Sequence, residues 1–315
     1  MSRRSSRLVR PRALRPGSRI AVVSPSSPAD SAAISAGIKE LRRLGFVVEE
    51  STPLAPQGYF AGGYRERFRQ FQMAFEKRSC EGVIATRGGY GANYLIDLGV
   101  TKSLAAPKCL IGFSDLNILQ VALLELRNWA GFYGPMVAAG FNNGGNQPHG
   151  YDEASFLQAV SNTKSGWEIP LRGQSVRSGS ATGRLVGGCL SMLQTTLGTN
   201  WEVDTDGAIL LLEDRGMKPY QVDRALRHLQ QTGKLKKVTG IVLGDFPDCD
   251  PPVAGSPGIP QICEAILGPL GVPIVYGAPI GHTKRPMLTM PLGVRAKLHA
   301  KGEGTLEILE PAVIV

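Results

Sequence analysis

The sequence predicts a two-domain α/β protein: a parallel sheet covered by helices in the first half and a smaller mixed α/β domain in the second. Three observations predict it. Between residues 19 and 145, short apolar runs alternate with helix-patterned segments, as in a parallel sheet wrapped on both faces. Between 140 and 180 the alternation gives way to Gly-, Asn- and Ser-rich stretches such as GFNNGGNQPHGYD and RGQSVRSGSATG, which read as connection. Beyond 181, strand and helix signals resume with more antiparallel character. The expected divisions are a basic disordered arm over 1–18, an N-terminal domain over 19–145, a linker over 146–180 and a C-terminal domain over 181–315. A chain of 315 residues accommodates two such domains.

Taken in order, RIAVVSPSSP (19–28) is an apolar strand running into a Ser/Pro loop. SAAISAGIKELRRLGF (31–46) has helical spacing and stops at Gly45, and FVVEES follows as a short strand. In RERFRQFQMAFEK, Phe68, Phe71 and Phe75 recur at three- and four-residue steps, the pattern of an amphipathic helix. CEGVIATRGGYG is a strand entering a glycine turn, and CLIGFSDLNILQVALLEL is a strand entering a helix. In the second half, GRLVGGCLSMLQTTLG joins a Gly-rich segment to a helix, and GAILLLEDRG is a buried strand ending in charge. PYQVDRALRHLQQTGKL is an amphipathic helix with Pro219 in its first turn and Gly233 at its end. VTGIVLGDF is another strand, and the segment from PIVYGAPIGH to the C-terminus reads as strands and turns. Parallel sheets bind ligands at the carboxyl ends of their strands. The loops SPSSP, TRGGYGAN and GFSDLN all fall at such ends.

Composition narrows the function classes. The net charge is +9, but seven arginines lie within residues 1–19, leaving +2 for the rest. Phosphate binding needs a basic face rather than a basic tail, so no nucleic-acid partner is expected. No apolar run reaches the length of a membrane span, and the arginine arm lacks the apolar core of a secretory signal. Its Arg/Ser character resembles a transit peptide or an over-called start. The five cysteines, Cys80, Cys109, Cys189, Cys249 and Cys263, are widely spaced without a CxxC, which argues against a disulfide framework or a zinc site and fits a reducing compartment. No cofactor fingerprint and no metal-ligand spacing is present, so neither cofactor nor metal is expected.

The candidate chemistry centres on IGFSDLN. Ser114 stands between a strand and a helix, where the first-turn N–H groups are unpaired. A helix cap by Ser114 or Asp115 and a nucleophile beside an oxyanion site both fit. Glu213 and Asp214 follow four apolar residues, either as a strand end meeting solvent or as an acid that orients a histidine. Of the four histidines, His149 lies in the linker, His228 in a helix and His299 in a polar strand. His282 lies in a glycine-bounded loop, where functional groups concentrate. The TRGGYG turn is either a plain turn or a close backbone approach to a ligand.

Together and in this order, RIAVVSPSSP, YFAGGYRERFRQFQMAF, ATRGGYGANYLID, LIGFSDLN, FYGP, GRLVGGCLSMLQTTLGT, ILLLEDRGMKPYQVDRALRHL, GIVLGDF and PIVYGAPIGHTKRPMLTMPLGV resemble the LD-carboxypeptidase family. That family comprises serine peptidases, among them the murein tetrapeptide carboxypeptidases and the microcin-immunity peptidases. The resemblance implies a flavodoxin-like N-terminal domain and an active site in the cleft between domains. It implies Ser114 as nucleophile, Glu213 as triad acid and His282 as base, with an oxyanion site from the backbone N–H groups of Asp115 and Gly89. A carboxypeptidase also needs a cation for the substrate carboxylate; Arg87 and Arg215 are the candidates. The implied reaction is release of terminal D-alanine from murein tetrapeptides by a cytoplasmic homodimer, in murein recycling. The alternatives are a microcin-immunity-type peptidase acting on a peptide–nucleotide conjugate, or a non-catalytic two-domain binding protein. Cys189 departs from the pattern, standing where the resemblance leads one to expect asparagine.

Overall fold

The computed structural model describes residues 7–315. The first sheet takes β1 (Arg19–Val23), β2 (Val47–Glu49), β3 (Cys80–Ala85), β4 (Cys109–Gly112) and β5 (Gly131–Tyr133). They run parallel in the order β2-β1-β3-β4-β5, a flavodoxin-like arrangement. The central strands are mostly apolar because helices cover both faces. The covering helices are α1 (Ser31–Arg43), α2 (Tyr64–Glu76), α3 (Asn93–Asp97), α4 (Val100–Ser103) and α5 (Asn117–Arg127). Asp30 caps α1 by accepting from the Ala33 N–H at 2.9 Å, and Gly45 follows its end with φ +88°, a conformation glycine adopts freely.

After α6 (Glu153–Ser161) come β6 (Trp167–Pro170), β7 (Gln174–Arg177), β8 (Gly179–Cys189), β9 (Ala208–Glu213), β10 (Gly240–Leu243) and β11 (Ile274–Tyr276). β8 to β11 form the parallel centre of the second sheet, and β7 pairs antiparallel with β11. Helices α7 (Leu190–Thr196), α8 (Pro219–Gln231) and α9 (Ile259–Leu267) bury one face of that centre. The chain then crosses back. β12 (Met290–Leu292) pairs antiparallel with β5, closing the first sheet. β13 (Arg295–Ala300) and β14 (Thr305–Ile308) return to the second sheet, giving the order β6-β14-β13-β8-β9-β10-β11-β7. One apolar core is continuous between the sheets, from Ile84 and Phe132 to Ile209, Leu211 and Val275.

Two of the expected divisions are redrawn. Residues 7–18 are docked rather than disordered. The Val9 N–H donates to Asn128 O, the Ala13 N–H to Ile314 O and the Leu14 N–H to Val160 O, each at 2.8 Å, and Arg10 pairs with Glu310. Leu14 is buried in the core. The segment docks by extended pairing, which leaves no helical period to read. Residues 1–6 of the arm lie outside the described residues. The stretch 146–180, read as linker, carries α6, β6 and β7; its strands lie at the sheet edges, half exposed, and so look polar. Among the described residues no helix is long and apolar enough to cross a membrane.

Candidate active site

β4 ends at Gly112, whose φ of +152° and a Cβ position 2.4 Å from Leu116 Cδ2 exclude any other residue. Ser114 then opens a short 3-10 turn, Ser114–Leu116, with φ +60°. A non-glycine residue in that region is strained and is held there by its surroundings. The RGGYG turn lies against it: a Cβ on Gly88 would sit 2.7 Å from Ser114 Cβ and 2.8 Å from its Oγ. Neither Ser114 nor Asp115 caps the helix that follows. The buried Asp115 carboxylate instead accepts from Ser26 Oγ at 2.6 Å and from the Ala92 N–H at 2.8 Å, tying together the loops after β1, β3 and β4. Burial pushes its pKa up against those hydrogen bonds.

Glu213 closes β9 with its side chain fully buried, so it is not a strand end meeting solvent. Its Oε2 accepts from the His282 backbone N–H at 2.9 Å and faces His282 Nδ1 at 2.9 Å. The ionised carboxylate places the ring proton on Nδ1 and leaves Nε2 as the acceptor. Burial pulls the His282 pKa down, but the charge and hydrogen bond of Glu213 outweigh it, and the value stands above the ordinary one. The approach requires Gly281, at φ +57°, where a Cβ would meet Glu213 Cδ at 2.4 Å. The Phe113 ring meets the imidazole edge-on, centroids 5.0 Å apart.

Ser114, Gly89, Arg87, Arg215 and His282 line a single cavity of about 480 Å³ at the junction of the two sheets. No described hydrogen bond joins Ser114 Oγ directly to the imidazole; unliganded sites often hold such pairs apart until substrate binds. Arg87 is exposed and, among the described residues, donates to Pro28 O at 3.3 Å. Arg215 pairs with Asp248 at 2.8 Å. A second cavity of about 200 Å³ adjoins, sharing Phe113, Ala139, Arg215 and His282 and adding His149, Asp248 and Lys284.

Comparison with known proteins decides the family. Residues 20–134 match the LD-carboxypeptidase N-terminal domain and residues 182–298 the LD-carboxypeptidase C-terminal domain. A probable murein peptide carboxypeptidase of Bacillus subtilis is 33% identical over 295 residues, 92% of this chain and 91% of that protein. The chain belongs to the LD-carboxypeptidase family. It is accordingly a serine-type carboxypeptidase, a hydrolase, and the binding-module alternative is set aside. Among solved structures, a muramoyltetrapeptide carboxypeptidase from Oxalobacter formigenes is 29% identical with a TM-score of 0.79, covering 92% of this chain and 99% of that one. The microcin C7 self-immunity protein MccF in complex with aspartyl sulfamoyl adenosine shares the fold, with a TM-score of 0.88 at 23% identity over 97% of this chain and 100% of that one.

Within this LD-carboxypeptidase, three supporting residues were not singled out by sequence reasoning. Tyr133 is fully buried at the end of β5, and its O–H donates to Glu213 Oε1. Burial, then the neighbouring carboxylate, keeps the phenol protonated. Arg67, buried on α2, donates to Gly62 O at 3.0 Å, to Gly91 O at 2.8 Å and to Pro25 O. It staples three loops, one of them the RGGYG turn. Asn117 on α5 accepts from the Cys189 N–H and donates to Gly187 O, both at 3.1 Å, joining the two sheets beside the cavity. The FYGP and SDLN motifs hold two of these residues; nothing in the spacing assigns them roles. Of the other histidines, His228 meets Gln194 at 3.2 Å and His299 meets Glu307 at 3.5 Å, while His149 lines the second cavity.

Proposed function

We propose that the enzyme releases terminal D-alanine from murein tetrapeptides, cutting an L,D bond with Ser114, His282 and Glu213. The observation that carries this reading is the imidazole locked by a fully buried carboxylate, with its other face and Ser114 lining one cavity. His282 takes the Ser114 proton as the hydroxyl attacks the peptide carbonyl, and Glu213 stabilises the imidazolium that forms. The backbone N–H groups of Gly89 and Asp115 receive the developing oxyanion, each contributing roughly 3–4 kcal/mol to the transition state. Protonated by His282, D-alanine leaves, and water activated by the same imidazole hydrolyses the acyl-enzyme. Arg87 and Arg215 line the cavity that would take the substrate's free carboxylate.

The names of relatives support a murein peptide as substrate. Five free cysteines fit a cytoplasmic enzyme of murein recycling, and the family resemblance suggests a homodimer. The deciding experiment is mass spectrometry of a murein tetrapeptide after incubation. Loss of one alanine, abolished in Ser114→Ala, is the expected result. An intact tetrapeptide, with cleavage of an aminoacyl sulfamoyl adenylate instead, would move the enzyme to the microcin-immunity side.

A further inference from the structure

We propose that Cys189, Glu213 and His282 together form a binding site for a soft divalent cation, zinc above all, and that filling it switches the hydrolase off. The three donors come from distant parts of the chain, so no spacing rule reveals them. In space, one ligand atom from each lies within 4.8 Å of the others. Cys189 and Glu213 are register partners at the ends of the adjacent parallel strands β8 and β9, so their side chains leave the same face side by side. The His282 ring already rests on the carboxylate at 2.9 Å.

The donor set is one sulfur, one nitrogen and one oxygen. Three protein ligands with a fourth position for water are a zinc arrangement. They are a poor set for calcium or magnesium, which take six or more oxygens or keep their own water. Metal–ligand bonds of about 2.0–2.3 Å require the three side chains to close inward by roughly an ångström. The shell behind them is built: Tyr133 and the His282 backbone N–H hold the Glu213 carboxylate, and Ser191 Oγ meets Cys189 Sγ at 3.4 Å. Asp214 is buried beside Glu213, its Oδ2 3.6 Å from the thiol. Of the three donors, His282 is the one that borders the cavities. As the metal binds, the thiol proton leaves to solvent and the ring proton passes by way of solvent from Nδ1 to Nε2, which frees Nδ1 as the nitrogen ligand.

Inhibition follows from the place the ion takes. Sitting among these three atoms, it replaces the hydrogen bond between Glu213 and His282, and the imidazole loses its orienting partner. This half rests on the triad reading; binding of the metal does not. Cys189 carries most of the zinc preference of the site, because a thiolate is a far stronger zinc donor than the amide oxygen or hydroxyl that would replace it.

The test uses the whole protein in two readouts. Cobalt(II) added to the Ser114→Ala variant is expected to give a near-ultraviolet thiolate-to-metal charge-transfer band at one equivalent, lost in Ser114→Ala/Cys189→Asn. For the unaltered enzyme, zinc is expected to stop turnover and a chelator to restore it. Cys189→Asn and Cys189→Ser are expected to remain active and to need at least about tenfold more zinc, the lower end of what losing even an outer-shell partner costs. No charge-transfer band overturns the site. A band with no zinc effect on turnover overturns the switch, as does equal zinc sensitivity with and without Cys189. Failure to cleave any peptide would count against the triad reading alone, since the cobalt band is read on a protein without the serine hydroxyl.

Discussion

Tyr133 and Glu213 meet as two fully buried groups from different sheets, the phenol donating to one oxygen of a carboxylate whose other oxygen serves His282. The contact ties Glu213 of the second sheet to the strand beside the one that leads into Ser114, because Tyr133 is the register partner of Gly112. Removing the hydroxyl leaves a buried charge short of one donor, at a cost of about 1–3 kcal/mol. Tyr133→Phe is therefore expected to fold with a lower Tm and a kcat reduced by about one order of magnitude or more. A fully active Tyr133→Phe enzyme in steady-state assays would show that the hydroxyl does not position the acid.

The raised pKa of His282 gives activity and stability opposite pH trends. The proposed role of His282 as base needs the neutral imidazole, so kcat/KM is expected to fall on the acid side with an apparent pKa above the ordinary histidine value of 6.5. The imidazolium–Glu213 attraction stabilises the fold fully below that ordinary value and fades as pH rises through the higher folded value. Thermal unfolding across pH 5–9 is expected to show this second trend, and Glu213→Gln to flatten it.

Ser114 pays for its position with a φ of +60°. Glycine carries no such strain, so Ser114→Gly is expected to raise stability by about 1 kcal/mol while abolishing turnover. Calorimetry beside Ser114→Ala, which keeps the strained Cβ, isolates the effect. Equal melting temperatures for the two variants would mean the turn is unstrained.

Gly88 tests how tightly the glycine turn is fitted. A Cβ there has only 2.7 Å to Ser114 Cβ, whereas Gly166, at a φ of +79°, has open space around it. Gly88→Ala is expected to lower kcat by about 100-fold through displacement of the hydroxyl. Gly166→Ala is expected to cost about 1 kcal/mol of stability with kcat unchanged.

Arg87 and Arg215 differ in how committed they are. Arg215 is engaged with Asp248, while Arg87, among the described residues, meets a carbonyl oxygen. Arg87→Ala is therefore expected to raise KM by about tenfold or more with a smaller change in kcat, the loss of one charge-assisted contact. The reverse ranking in steady-state kinetics would assign the carboxylate to Arg215.

The parallel strands were legible because helices bury both their faces and leave short apolar runs, as in GVIA at 82–85 and AILLL at 208–212. The two edge strands of the second sheet were not: Trp167–Pro170 and Gln174–Arg177 are half exposed or more and read as connection. Ser114, Glu213 and His282 stood out through motif resemblance and through their places at strand ends. Tyr133, Arg67 and Asn117 did not, since a buried polar side chain inside an apolar or amphipathic segment shows its purpose only when its partner arrives from elsewhere in the chain. The pairing of Cys189 with Glu213 was hidden for the same reason.

The return of the chain from β11 to β12 strings the His282 loop between the two sheets like a cable moored on opposite banks. Cutting the polypeptide near residue 180 would not yield two independent lobes, because the front half would lack its closing strand and the rear half its edge strand β6. The imidazole rides on that cable, so its position beside the cavity that Ser114 also lines is set jointly by both lobes.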